Sequence, residues 1–166
     1  DANAHPHTDC SRRVAVVHNG IIANYDDLRA TVPDHEFRSE TDTEVVAHLI
    51  EEALEETDDL QVAVQGVVKR IEGSYALGVV AAGYDGIIAA RRNSPLVVGH
   101  GADGTFIASD VTPLLAYTRS VSYLEDGDVA RLTRDGVTVH PAGAQMDRPV
   151  STIQLEADAA EQYGDD

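Results

Sequence analysis

Basic residues are scarce in this 166-residue sequence, which has 12 Lys and Arg against 29 Asp and Glu and a formal net charge of −17. Nucleic-acid binding depends on clustered Lys and Arg that neutralise phosphates, and an anionic membrane surface attracts the same charges. Long hydrophobic runs are also absent, because the longest ones cover residues 14–17 and 76–82 and a membrane-spanning helix needs about 20 apolar residues. We therefore expect no nucleic acid and no membrane as partner.

Cysteine and lysine are nearly absent too. Cys10 is the only cysteine, so the chain has no internal disulfide framework, and its composition fits a reducing, cytoplasmic location. Lys69 is the only lysine, and Asp outnumbers Glu by 18 to 11. This skew predicts a halophilic protein, because in molar salt a Debye length of about 3 Å screens the repulsion between carboxylates. The alternative is an acidic protein from a mesophile that does not live in concentrated salt.

The hydrophobic content of 43% is ordinary for a globular protein, and the length fits one domain around one core. A continuous β-branched segment predicts a buried strand over residues 13–17, which we expect to stop at a turn formed by His18-Asn19-Gly20. A short helix is predicted from Tyr25 to Ala30, with acidic residues in its first turn.

Two longer helices are predicted after this segment. Thr41 and Glu44 have the spacing of a capping box, and an apolar stripe with helical period follows them. A second stripe predicts a helix from about Leu60 to Ile71, with Gly73 placed to end it.

The rest of the chain predicts β-structure. Helices followed by a run of antiparallel strands indicate an α+β layered domain rather than an alternating parallel sheet. From about Pro141 the periodicity fades, so we expect one domain over residues 1–145 and a C-terminal tail or linker over residues 146–166. The predicted strands cover residues 74–81, 86–91, 95–98, 105–109, 119–124, 128–133 and 136–140, and Asp110 is placed to cap a short helix through Leu115.

Three motifs carry a family resemblance. They are NAHPH at residues 3–7, HNGIIANY at 18–25 and SETDTEVVAH at 39–48, with weaker matches at 94–99 and 106–110. In this order they resemble the class II glutamine amidotransferase domain of the glutamine–fructose-6-phosphate aminotransferases, also called glucosamine-6-phosphate synthases. The resemblance implies an N-terminal-nucleophile (Ntn) hydrolase-type fold, a layered αββα sandwich with antiparallel sheets, incomplete here at its N-terminus.

The resemblance also implies roles for three residues. Hydrolysis of the glutamine amide passes through tetrahedral oxyanions, which need hydrogen-bond donors placed where the negative charge develops. By resemblance, the side-chain amide of Asn19 and the backbone N–H of Gly20 form this oxyanion hole, and Asp42 holds the α-ammonium group of glutamine. If the family resemblance is set aside, the local sequence predicts a plain turn at Asn19-Gly20 and a helix cap at Asp42. Glu40 and Glu44 are expected to shape the turn around Asp42.

The histidines His5, His7 and His18 suggest a metal site, because imidazole is a common zinc ligand. No Cys or carboxylate completes a ligand set at a recognisable spacing, and the resemblance implies neither a metal nor any other cofactor. We therefore expect none. His18 and Asn24 are expected to support the neighbouring loop through hydrogen bonds.

Residues Arg91, Ser94 and Pro95 resemble a family loop. Asn93 stands where the family pattern has Gly, which leaves the role of this loop open.

The resemblance places the catalytic nucleophile on a cysteine at the mature N-terminus, whose own amino group activates the thiol. Cys10 is internal and is expected to be an incidental thiol. We therefore expect that this sequence begins after the catalytic N-terminus, ends before sugar-phosphate isomerase domains, and is inactive alone. The parent enzyme would hydrolyse glutamine, pass ammonia to fructose-6-phosphate, and form a homodimer.

Two other functions remain open. The chain could be a non-catalytic binding or structural module on the same scaffold, or an amidotransferase for another acceptor such as a phosphoribosyl or aspartyl substrate. SETDTEV at residues 39–45 argues against the second alternative, because it resembles the sugar-aminating branch.

Overall fold

A computed structural model describes residues 2–141 and 153–155. They form two antiparallel sheets, three α-helices and one 3-10 turn. The strands are β1 (His7–Thr8), β2 (Val14–Ile22), β3 (Gly73–Ala81), β4 (Ile87–Arg92), β5 (Val97–Gly101), β6 (Gly104–Ala108), β7 (Ser120–Tyr123), β8 (Val129–Thr133), β9 (Gly136–His140) and β10 (Ile153–Gln154), and the helices are α1 (Tyr25–Ala30), α2 (Thr43–Glu56) and α3 (Leu60–Val68).

The larger sheet has six strands in the order β1-β2-β3-β4-β8-β9. Alternate residues of a strand point to opposite faces, and one face of this sheet packs against α2 and α3 in the main hydrophobic core. Val14, Val16 and Ile22 of β2 and Leu77 and Val79 of β3 bury their side chains in that core. The helices therefore cover one face of the six-stranded sheet.

The smaller sheet has four strands in the order β10-β7-β5-β6 and covers part of the opposite face. A second core joins the two sheets through Ala89, Val98, Ala130 and Leu132, with Ile107 packed against it. The outer face of the smaller sheet is covered by the 3-10 turn Thr112–Leu114, which contributes a buried leucine. The expected layered sandwich with antiparallel sheets is confirmed, and a 3-10 turn is its outermost layer in the part of the chain that the structure describes.

The prediction that the first strand stops at His18-Asn19-Gly20 is wrong. β2 continues to Ile22, because β3 pairs with it residue by residue, from Val14 opposite Ala81 to Ile22 opposite Gly73. A long partner strand stabilises an extended backbone that the local sequence alone would break. The Asn-Gly pair therefore lies inside a strand.

Two predicted helix boundaries also need correction. The helix predicted to extend to Ile71 ends at Val68, and Gly73 begins β3 rather than ending the helix. The capping box of Thr41 and Glu44 does not form, because the N-cap position of α2 is Asp42 and its side chain makes no capping hydrogen bond.

The predicted tail, residues 146–166, lies outside the described residues except for positions 153–155. There, β10 pairs with β7, with Ile153 opposite Val121. No helix of the described residues is both long and apolar enough to cross a membrane.

Candidate functional site

The C-terminal end of β2 has a backbone that only glycine fits. Gly20 has φ of +127°, and a Cβ atom added there would collide with the carbonyl oxygen of Ser74. The Ser74 hydroxyl accepts a hydrogen bond from the N–H of Ile21 at 3.0 Å. Ser74 thus excludes a side chain at Gly20 and holds the residue that follows it. No local sequence pattern points to Ser74, because only the pairing of β2 with β3 brings it there.

Asn19 lies on the face of β2 opposite the helices. Its side chain is exposed and makes no hydrogen bond to any residue in the ranges 2–141 and 153–155. Its neighbours on that face, Val17 and Ile21, are 42% and 70% exposed. The amide of Asn19 is therefore available to a ligand next to apolar surface.

Asp42 joins α2 to the end of β2. Its Oδ2 atom accepts a hydrogen bond from the backbone N–H of Ile22 at 2.9 Å, although the residue occupies the N-cap position of α2. The carboxylate is thus turned away from its own helix and toward the strand that carries Asn19 and Gly20. The three predicted site residues therefore lie in or beside the last four residues of β2.

The loop before Asp42 is held by Glu44. This carboxylate accepts hydrogen bonds from the backbone N–H groups of Arg38 and Ser39, at 2.6 and 2.7 Å, and from the Ser39 hydroxyl at 2.6 Å. Burial favours the neutral acid, but these hydrogen bonds and one from His48 lower the pKa of Glu44 overall. The predicted role in shaping the turn around Asp42 is confirmed for Glu44, and for Glu40 it stays a prediction.

His18 of β2 forms hydrogen bonds to β3 and to α2. Its Nε2 lies 3.4 Å from the carbonyl oxygen of Ser74, which can only accept, so Nε2 carries the proton. Its Nδ1 therefore accepts from the hydroxyl of Thr43, 3.0 Å away on α2. Burial lowers the pKa of His18, which keeps this neutral form at pH 7. His18 thus forms supporting hydrogen bonds, as predicted, but they reach β3 and α2, because the loop that it was expected to support is part of strand β2.

The two histidines of the first motif lie at the N-terminal end of the same helix. His5 Nε2 lies 3.4 Å from the hydroxyl of Thr43, and His7 Nε2 lies 3.1 Å from that of Thr41. Burial and the neighbouring His5 lower the pKa of His7. These imidazoles are bonded to hydroxyl groups rather than arranged around a common point.

Asn24 also has the supporting role that was predicted for it. Its amide donates to the carbonyl of Arg70 at 2.7 Å, and its side-chain oxygen accepts from the N–H of Glu72 at 2.9 Å. The start of β3 is thereby held against the turn that follows β2.

The loop after β4 adopts a conformation that explains its departure from the family pattern. Asn93 has φ of +58°, the left-handed region that asparagine tolerates better than most residues with a side chain. Its N–H donates to Asp126, whose carboxylate also pairs with Arg91 at 2.8 Å. The Asn93 amide donates to the carbonyl of Gly73 at 3.3 Å, so the loop lies beside the start of β3.

Comparison with solved structures defines the class of fold. The chain is similar to the glutamine phosphoribosylpyrophosphate amidotransferase of B. subtilis, with a TM-score of 0.67, 23% identity and coverage of 77% of this chain and 29% of that one. It is also similar to a structure described as the allosteric regulatory enzyme of purine biosynthesis, with a TM-score of 0.71, 23% identity and coverage of 84% and 31%. The fold is thus the layered αβ sandwich of the Ntn amidotransferases.

The sequence comparisons give the family. Residues 1–116 match the family described as the glutamine amidotransferase domain, and this chain belongs to that family. It is 53% identical to the glutamine–fructose-6-phosphate aminotransferase (isomerizing) of Halobacterium salinarum and 49% identical to that of Thermotoga maritima. The matches cover 99% of this chain in both cases, but only 28% and 27% of those relatives. The chain therefore spans just over a quarter of the length of these two relatives.

Proposed function

We propose that this chain is part of a domain that hydrolyses the side-chain amide of glutamine, and that the longer protein containing it transfers the ammonia to fructose-6-phosphate. The observation that carries the proposal is the hydrogen bond from the N–H of Ile22 to Asp42, which holds a carboxylate at the end of the strand that contains Asn19 and Gly20. The names of the two relatives support the acceptor.

In this proposal Asn19 and Gly20 stabilise the oxyanion. A neutral amide donor such as that of Asn19 stabilises developing negative charge without changing the charge of the resting site. Gly20 contributes its backbone N–H, at a position where a side chain would collide with Ser74.

Asp42 binds the α-ammonium group of glutamine. Its Oδ2 is held by Ile22, and Oδ1 accepts no hydrogen bond within the described ranges, which leaves it free to accept from an ammonium. A carboxylate fixed at one oxygen loses little further freedom on binding.

The wider setting is part of the same proposal. Glutamine is the substrate, isomerase domains of the parent protein are the partner, and the parent forms a homodimer in the cytoplasm. No metal or other cofactor takes part in the amide hydrolysis.

The roles of Asn19 and Asp42 are tested by glutaminase kinetics in the full-length protein that carries this domain. Asn19→Ala should lower kcat about 10²- to 10³-fold, because it removes a donor needed mainly in the transition state. Asp42→Asn should mainly raise KM for glutamine, because the ammonium keeps its charge throughout the reaction. Both variants should keep amination of fructose-6-phosphate by free ammonia, since neither residue contacts the acceptor.

Asp103→Asn, in the exposed turn between β5 and β6, is the matched control for loss of a carboxylate and should leave both constants unchanged. An Asn19→Ala variant with the kcat of the parent would refute the oxyanion role, and an unchanged KM in Asp42→Asn would refute the ammonium role.

We also propose that the 166-residue chain alone does not hydrolyse glutamine. Its cysteine, Cys10, is internal and lies in a loop that contacts α2 through Glu51, so its thiol lacks the adjacent N-terminal amine that activates such a nucleophile. A coupled ammonia assay should give only background release. Turnover that disappears in Cys10→Ala would contradict this proposal.

A further inference from the structure

Four side chains from distant parts of the sequence converge beside α2. Cys10 lies between β1 and β2, His35 lies between α1 and α2, and His48 and Glu51 lie on α2. Their ligand atoms Sγ, Nδ1, Nδ1 and Oε2 all lie within 4.8 Å of one another. His48 is fully buried, and the side chains of His35 and Glu51 are 12% and 24% exposed.

The spacing of these atoms is that of a tetrahedral zinc site. Bond lengths of about 2.0–2.3 Å at tetrahedral angles place ligand atoms about 3.3–3.6 Å apart. The Cys10 sulfur is 3.5 Å from Nδ1 of both His35 and His48, and these two nitrogens are 3.2 Å apart. Glu51 Oε2 lies 3.2 Å from His35 Nδ1 and 3.7 Å from His48 Nδ1.

The outer nitrogens of both imidazoles are already bonded to carboxylates. His35 Nε2 lies 3.1 Å from Glu52 Oε1, and His48 Nε2 lies 3.3 Å from Glu44 Oε1. An ionised carboxylate only accepts, so in the neutral rings each Nε2 carries the proton and each Nδ1 presents a lone pair. Such carboxylate–imidazole pairs fix the ring orientation in metal sites.

The four inner atoms are therefore hydrogen-bond acceptors, and the thiol proton is the only proton that the four side chains place between them. The backbone N–H of Glu36 donates to the Cys10 sulfur at 3.4 Å, and the N–H of Cys10 donates to Glu51 Oε2 at 3.1 Å. Lone pairs held this close repel one another unless a cation lies between them. A divalent cation would balance one thiolate and one carboxylate.

We propose that Cys10, His35, His48 and Glu51 bind one zinc ion that ties the two loops to α2. Four protein ligands complete a tetrahedron and leave no position for substrate, which is the arrangement of a structural rather than a catalytic zinc site. The sequence alone predicts no metal and an incidental thiol at Cys10, because the four ligands are separated by 25, 13 and 3 positions and follow no zinc-binding motif. This proposal does not depend on the proposed function.

Metal content tests the proposal directly. Tag-free protein is stripped with a chelator, loaded with zinc, passed through a desalting column and measured by elemental mass spectrometry. We expect about one zinc per chain in the unsubstituted protein and in Glu55→Gln. We expect no retained zinc in Cys10→Ser or Glu51→Gln. Glu55 is the matched control, because it lies one turn beyond Glu51 on the same helix and is exposed. A parent protein that retains no zinc, or a Cys10→Ser variant that retains as much as the parent, overturns the site.

Cobalt gives a readout that does not depend on the folding of any variant. Cobalt bound to the stripped parent protein should show a thiolate charge-transfer band and the strong visible bands of a tetrahedral ion. Zinc at about 100 times its dissociation constant should raise the Tm of the parent by about 5–10 °C. If the cluster is instead held together by a protonated histidine, the cobalt spectrum lacks the thiolate band and zinc leaves the Tm unchanged, and the proposal is then wrong.

Discussion

At the scale of single residues, backbone angles explain two positions that the sequence marked as unusual. Gly20 has φ of +127° and Asn93 has φ of +58°. The sequence could predict that Asn19-Gly20 is special, because the motif around it resembles a family. It could not predict the reason for the glycine, because the carbonyl of Ser74 reaches that position only through the pairing of β2 with β3.

Two glycine substitutions should change stability in opposite directions. Gly20→Ala should lower the free energy of unfolding by about 1–3 kcal/mol, because it forces a side chain into a disfavoured backbone region and against Ser74. Gly66→Ala should raise it by about 0.5–1 kcal/mol, because Gly66 lies inside α3 with no atom within 4 Å of its added Cβ. Urea denaturation followed by circular dichroism measures both.

The pair controls for the chemical change, since each variant adds one methyl group. If Gly20→Ala were as stable as the parent, the close approach of Ser74 would not constrain this position. A loss of stability in Gly66→Ala would show that α3 does not have the open helical surface described above.

At the scale of elements, local pattern predicted most helices and strands, and pairing between distant segments decided the rest. The predicted helix from Tyr25 to Ala30 has the observed bounds. The later strands were also predicted within a few residues, because glycine turns separate them. β2 was predicted too short, since its last residues owe their extended form to β3.

The N-terminus of α2 shows a second limit of local pattern. Thr41 and Glu44 have the spacing of a capping box, but Glu44 instead satisfies the backbone N–H groups of Arg38 and Ser39. No sequence pattern predicts these two hydrogen bonds, because Arg38 and Ser39 belong to a loop whose path is set by tertiary packing. The path of the same loop brings Asp42 within hydrogen-bond distance of Ile22. The position of Asp42 in the candidate site is therefore set by the tertiary fold and not by the sequence pattern that predicts the start of α2.

At the scale of the whole molecule, negative charge dominates and is rarely paired. The chain has 29 acidic residues against 12 basic ones. Within the described ranges, the only ion pair between an arginine or lysine and a carboxylate joins Arg91 to Asp126. Glu55 and Glu56, both exposed, also lie in the last turn of α2, where the helix dipole disfavours negative charge. Folding therefore brings unpaired carboxylates closer together.

We predict that stable folding requires molar salt. The Debye length falls from about 10 Å at 0.1 M to about 3 Å at 1 M ionic strength, so repulsion between exposed carboxylates is largely screened only in concentrated salt. The free energy of unfolding, measured by urea titration and circular dichroism, should rise steeply between low millimolar and molar potassium chloride.

A double variant separates charge screening from general effects of salt on hydrophobic burial. Glu55→Gln with Glu56→Gln removes two exposed charges from the C-terminal end of α2. It should stabilise the protein in low salt, because both charges repel their neighbours and oppose the helix dipole. This gain should shrink in molar potassium chloride, where the same repulsion is already screened. If the double variant gains the same stability at both salt concentrations, the gain comes from helix propensity and not from charge. If the unsubstituted protein is no less stable at low millimolar salt than in molar salt, carboxylate repulsion does not limit its folding.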